Sequence, residues 1–191
     1  MLTEPIAVTL LVVDALEAIG VRYAIGGSLA SAFHGVMRAT LDADFVAELH
    51  LEHAPLLVRM LREAFYVDEP MIRSAIQRHA SFNVVHLETM FKVDVFVAGS
   101  RALDRAQLDR RQLQRLSDAP ERHAYVITAE DIVLAKLEWY RLSNEVSERQ
   151  WRDILGVLKV QSSDLDSGYL RRMAAEMDIC DLLERALQDA L

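Results

Sequence analysis

Asp42 and Asp44 stand two apart in "DADFVAEL" (42–49), whose alternation predicts a strand. Residues two apart in a strand share one face, so the two carboxylates can converge on a single point. Carboxylates are costly to desolvate and two close anions repel. The pair is therefore stable only with a cation between the two groups or with one proton shared. Magnesium is the natural cation, with manganese as a substitute: it is hard, takes oxygen ligands, and is commonly held by one or two carboxylates plus substrate phosphates. Asp94, between Val93 and Val95 in "FKVDVFV", interrupts a second apolar strand in the same way. Three carboxylates on neighbouring strands suit a two-metal phosphoryl-transfer site, where one ion activates a hydroxyl and the other clamps a triphosphate. Ahead of them lies "IGGS" (25–28). Gly26 and Gly27 let the backbone approach an anion, and Ser28 can open a helix whose first amides point at it. Gly-Gly-Ser alone is common in turns and D-x-D alone occurs in surface strands, but their order and spacing together favour a site.

The elements that must hold these residues are legible along the chain. The apolar segment 5–19 stops at Gly20, as a helix ending on glycine does. A short strand at 21–25 leads into the glycines, and a helix capped by Ser28 runs to about residue 36. After the acidic strand come a helix at 52–64, a short strand at 65–67 and a helix at 70–78. Segments 81–88 and 91–98 form a hairpin around Thr89-Met90. A basic helix follows, then a last strand at 123–128. Thr128 and Asp131 make a capping box that opens a series of helices at 129–142, 147–160, 166–177 and 179–190. The organisation expected is an α/β core over 1–127 and a helical subdomain over 128–191.

Composition narrows the classes. The chain has 191 residues, 52% hydrophobic and 26% charged, which is globular. No apolar run reaches the ~18 residues of a membrane span. The N-terminal segment lacks a basic region and is broken by Glu4, Asp14 and Glu17, so it reads as a helix of the fold and not as a signal peptide. The single cysteine, Cys180, rules out an internal disulfide, suits a reducing, cytoplasmic setting, and is read as core or partly buried in the last helix. A net charge of −8 argues against broad nucleic-acid binding. Five arginines among residues 101–115, against two aspartates, read as a solvated helix face. His34 reads as a packed histidine, and His50 and His53 as a solvated loop. Ser28 and Ser31 have no base at nucleophile spacing, which argues against a serine hydrolase. Trp139, Tyr140 and Trp151 read as packing between the C-terminal helices.

Two residues beyond the core also need an explanation. At about 100° per residue, Lys136 falls inside the apolar arc of its helix, between Ile132 and Tyr140. A lysine there either snorkels or faces a buried anion. Asp153 lies at the edge of the stripe Trp151, Ile154, Leu155 and Leu158, where a solvated and a functional role fit equally.

The order Gly-Gly-Ser, short helix, Arg38-x-Thr40-x-Asp42-x-Asp44 and a later strand Asp94 resembles the polymerase-β-like nucleotidyltransferase superfamily. The "RATLDAD" form is most similar to the nucleotidyltransferase toxins of abortive-infection and type IV toxin–antitoxin systems and to their small bacterial relatives. The resemblance implies an α+β fold, a mixed sheet flanked by helices, with a C-terminal helical subdomain. It implies that Gly26, Gly27 and Ser28 hold nucleotide phosphates, that Asp42 and Asp44 bind magnesium, and that Asp94 joins them and orients or deprotonates the acceptor. The block "ITAEDIVLAKLEWYRLSNEVSERQWRDILGVLK" is similar to the family's C-terminal pattern, in which a lysine and a following arginine-aspartate pair complete the site. Those positions are Lys136, Arg152 and Asp153, with Lys136 and Arg38 neutralising the triphosphate. The implied activity is magnesium-dependent transfer of a nucleoside monophosphate from an NTP such as ATP to an acceptor hydroxyl. The acceptor would be tRNA or other RNA, a protein, or a small molecule such as an antibiotic, and a toxin would have a cognate antitoxin as partner. The rival reading is a nucleotide-binding or interaction module without transfer activity.

Overall fold

The N-terminal helix α1 (Glu4–Ala18) is apolar on most sides because it is buried on most sides: Val8, Val12, Val13 and Leu16 are all in the core. Gly20, at φ +72, turns the chain out of it into β1 (Tyr23–Ile25). The computed structural model describes residues 4–35, 40 and 42–190. Among them, the other strands are β2 (Asp42–Ala47), β3 (Phe65–Tyr66), β4 (Ser81–His86), β5 (Lys92–Val97), β6 (Gln112–Asp118) and β7 (Glu121–Val126). These strands form one sheet in the order β3-β4-β5-β2-β1-β7-β6. The sheet is mixed: β2 runs parallel to β5 and β1 parallel to β7, and the remaining pairs are antiparallel. This is the α+β arrangement expected.

The other helices are α2 (Gly27–Phe33), α3 (His53–Leu61), α4 (Glu69–Arg78), α5 (Ala102–Asp109), α6 (Ala129–Leu142), α7 (Glu148–Val160), α8 (Ser167–Glu176) and α9 (Cys180–Asp189). Helices α4, α6, α7 and α8 start on side-chain caps that satisfy amides the helix itself leaves open. Asp68 accepts from Met71 N at 2.7 Å, Thr128 from Asp131 N at 3.3 Å, and Asp166 from Tyr169 N at 2.8 Å. Helix α6 spans the residues its capping box predicts. It packs against both α2 and α7, and one continuous hydrophobic core runs from α1 through the sheet to α9. A second link joins the start of α6 to α8: Tyr169 donates its hydroxyl to the buried Asp131 at 2.5 Å, while Arg110 stacks over the Tyr169 ring and pairs with Glu130.

Three local expectations are corrected. Ser28 does not cap α2; Gly26 is the capping position, in extended conformation, and Ser28 lies in the first turn. The basic stretch 101–115 is not one helix: α5 ends at Asp109 and the chain enters β6, which pairs with β7. Edge strand β6 leaves most of its side chains in solvent, so it carries no apolar alternation to announce it. Cys180 opens α9 and is exposed.

Candidate active site

The parallel register of β2 and β5 places Asp42 opposite Lys92, Asp44 opposite Asp94, and Val46 opposite Phe96. Side chains alternate along each strand, so these six residues share one face of the sheet. Their neighbours Ala43, Phe45, Val93 and Val95 are buried on the other face. The three acids singled out by type and spacing are thus brought side by side. Burial pushes the Asp44 carboxyl up to about 6, and the negative charges of Asp42 and Asp94 push it the same way, against Lys136 and Lys92. Thr40 lies 3.0 Å from Asp42 Oδ1 and 2.8 Å from the Asp42 carbonyl, so its hydroxyl orients that acid. Asp94 is engaged by Lys92, whose Nζ is 2.7 Å from Asp94 Oδ2. Among the described residues, no three acidic, histidine or cysteine side chains stand together as a ready ligand set. The donor chemistry fits a divalent cation: hard oxygens, with the charges of Asp42 and Asp94 close enough to raise the proton affinity of Asp44.

The start of α2 is pressed against this cluster. Gly26 N donates to the Asp44 carbonyl at 2.8 Å. Gly27 has φ +55, and a Cβ on it would lie 1.7 Å from Asp44 Oδ2. Only glycine leaves room for both the left-handed backbone and the carboxylate. Ser31 fixes the turn by donating to the Gly27 carbonyl at 3.0 Å. His34 is buried at the other end of α2, 2.7 Å from the Ile127 carbonyl, the packed role its position predicts.

Helices α6 and α7 supply the opposite wall. Lys136 is buried and donates to Asp153 at 2.9 Å, and Asp153 is buried too. Of the alternatives open from sequence, Lys136 faces a buried anion and Asp153 is that anion. The lysine's charge also acts on Asp44. Arg152 is exposed, and Arg38 lies outside the described residues. Removing one member of a buried ion pair strands the other and typically costs 3–5 kcal/mol. Asp153→Ala is therefore expected to lose about 3–5 kcal/mol in urea denaturation. The double change Lys136→Met, Asp153→Leu should recover most of that stability, because it leaves neither charge stranded. A double variant as unstable as Asp153→Ala would show that the loss does not come from a stranded lysine charge.

Between these walls lies a cavity of about 710 Å³, within the usual range for small-ligand sites. Gly27, Ser28, Asp42, Asp44, Lys136 and Asp153 line one part of it, and Phe96, Arg101, Glu138, Trp139 and Arg149 another. Trp139 is half exposed, its ring 6.0 Å from that of Phe96. It is a wall of the cleft more than a packing residue between helices. Thr40, Lys92, Phe96 and Trp139 acquire roles that their types alone do not announce. The signals were spacing: Lys92 precedes Asp94 by the same two residues that separate Asp42 from Asp44, and Trp139 follows Lys136 by one helical turn.

No family model matches this chain, and no curated protein does. Solved structures do. A nucleotidyltransferase-like antigenic protein of Paracoccidioides brasiliensis superposes with a TM-score of 0.57 at 19% identity, over 98% of this chain and 94% of its own. The antibiotic-resistance factor ANT(2'')-Ia gives 0.57 at 14% identity, over 100% and 96%. The lincosamide antibiotic adenylyltransferase LnuA, solved with lincomycin bound, gives 0.53 at 16% identity, over 83% and 98%. These likenesses span nearly the whole of each neighbour, and the chain accordingly has the polymerase-β-like nucleotidyltransferase fold.

Proposed function

We propose that this protein is a metal-dependent nucleotidyltransferase that moves a nucleoside monophosphate from an NTP to an acceptor hydroxyl. The observation that carries the reading is the register of β2 and β5, which sets Asp44 beside Asp94 with Asp42 one step along, against the glycine that opens α2. Asp42, Asp44 and Asp94 would hold magnesium, or manganese in its place. Bound there, the ion supplies charge neutralisation for the triphosphate and for the oxygens being joined and parted. The amides at the start of α2, with Gly27 and Ser28, receive the phosphates, and Lys136 adds positive charge on the facing wall. Asp94 takes the proton of the acceptor hydroxyl. The acceptor oxygen bonds to the α-phosphorus as the bond from that phosphorus to the bridging oxygen breaks, and pyrophosphate leaves. Asp153 is a positioning residue that holds Lys136.

A small hydroxylated molecule is the favoured acceptor. Four of the five arginines of residues 101–115 are occupied within the chain: Arg101 by Asp104 and Glu138, Arg110 by Glu130, Arg111 by the Leu108 carbonyl and the Tyr125 ring, and Arg115 by Asp118. With a net charge of −8, little of the chain's charge suits a phosphate backbone. The lincosamide antibiotic adenylyltransferase and the antibiotic-resistance factor among the structural neighbours support the same reading. The toxin role rests on the "RATLDAD" form, and rescue of growth by a neighbouring gene product on coexpression would test it.

The experiment is pyrophosphate release from each NTP with magnesium, in the presence of lincomycin, other hydroxylated antibiotics or total tRNA. Release with an antibiotic supports the small-molecule reading, and release with tRNA alone replaces it. Metal-dependent NTP binding with no release from any acceptor identifies a binding module.

Protons and the cation compete for Asp44, which gives a pH test. The folded-state value of about 6 is above the ordinary 3.8. Asp44 therefore binds its proton more tightly when folded, and its contribution to stability falls as pH rises from about 4 through 6. A divalent cation offsets that loss only where Asp44 is ionised. Magnesium should raise the melting temperature more at pH 7.5 than at pH 5, and an equal rise at both would separate the cation from Asp44.

A further inference from the structure

Lys92 stands where the acids call for a cation. It is two residues before Asp94 on the same face of β5 and directly opposite Asp42 on β2. Its Nζ lies 2.7 Å from Asp94 Oδ2, and its charge is felt by Asp42 and Asp44 as well. The side chain is 45% exposed, against 20% for Asp94, so the ammonium reaches in from the solvent edge on a flexible stem. Lys136 cannot move in the same way, being buried and held by Asp153 at 2.9 Å.

We propose that Lys92 is a resident counter-ion, keeping Asp94 capped until an incoming nucleotide and its cation displace it. The inference rests on the reading of Asp42, Asp44 and Asp94 as cation ligands. An ammonium and a divalent ion repel strongly at ligand distance, so a cation arriving alone must dislodge Lys92 at the cost of its ion pair. A cation arriving with a triphosphate brings a new anionic partner for the lysine. Lys92 then leaves Asp94 for a phosphate oxygen, and Asp94 is released to serve the acceptor hydroxyl. Nucleotide binding and the uncapping of Asp94 become one event, so the acceptor base is exposed only when there is something to transfer.

The test is Mn²⁺ binding to the full-length chain, followed by electron paramagnetic resonance. Wild type and Lys92→Met would be compared without nucleotide and with a non-hydrolysable NTP analogue. Met keeps the length of the side chain at a partly exposed position, and an unchanged melting curve confirms the fold. Without nucleotide, Lys92→Met should bind Mn²⁺ about tenfold more tightly than wild type. The analogue should then tighten Mn²⁺ binding far more in wild type than in the variant. Equal Mn²⁺ affinities in the two proteins, or weaker binding in the variant, would overturn the proposal and leave the cation site standing. Failure of Mn²⁺ to bind either protein, even with the analogue, would overturn the cation site itself and the proposal with it.

Discussion

Asp44→Asn is expected to abolish nucleotidyl transfer, by about 10³-fold or more, while making the protein more stable at neutral pH. The two effects have one cause. Asp44 is held partly buried beside Asp42 and Asp94, which lifts its carboxyl to about 6, so keeping it ionised above that pH costs the fold roughly 3 kcal/mol. Asparagine occupies the same space without the charge. A chain selected only for stability would not keep an aspartate there, and the cost is intelligible if the charge is needed to hold a cation. The melting temperature of Asp44→Asn at pH 7.5 should exceed that of wild type by several degrees, and the difference should shrink toward pH 5. A variant that is inactive and also less stable would mean that Asp44 is structural and the loss of activity secondary.

The second large effect distinguishes two adjacent glycines. Gly27→Ala should cost about 2–4 kcal/mol and weaken NTP binding by about 100-fold. Its φ of +55 disfavours any side chain, and the new Cβ would fall 1.7 Å from Asp44 Oδ2, a contact relieved only if the acid or the first turn of α2 moves. Gly26→Ala should be mild. Gly26 has φ −119, and a Cβ there would meet the Ile127 side chain at an ordinary 3.6 Å. Calorimetric titration of both variants with Mg²⁺ and a non-hydrolysable NTP checks the contrast. Equal loss from both would locate the phosphate contact in the length of the turn and not in the Gly27 approach to Asp44.

How much of this was readable from residues alone depended on whether the signal was local. Helix α6 is legible because Thr128 and the apolar periodicity are local, and its span matches. The hairpin of β4 and β5 is legible because both strands alternate and Met90 takes the left-handed turn at φ +60. Edge strand β6 is hidden, since with both faces largely wet it has no pattern to show. At the site, residue type and two-residue spacing find Asp42, Asp44 and Asp94, but the parallel register that sets Asp44 against Asp94 joins segments far apart in sequence. Lys136 is legible as a charge in an apolar arc. Asp153 becomes interpretable only with burial, which turns an edge position into the lysine's partner. Lys92 is the instructive omission. Read alone it is a surface lysine in a strand, and its meaning depends on the acids that two strands bring around it.

The most direct test uses NTP labelled at either the α- or the γ-phosphorus, incubated with the protein, magnesium and a small-molecule cell extract as acceptor source. Expected is a new product carrying the α label, with the γ label leaving as pyrophosphate, and neither appearing with Asp44→Asn. A product carrying the γ label, or γ label released as orthophosphate with the α label still on the nucleoside diphosphate, would contradict nucleotidyl transfer by Asp42, Asp44 and Asp94.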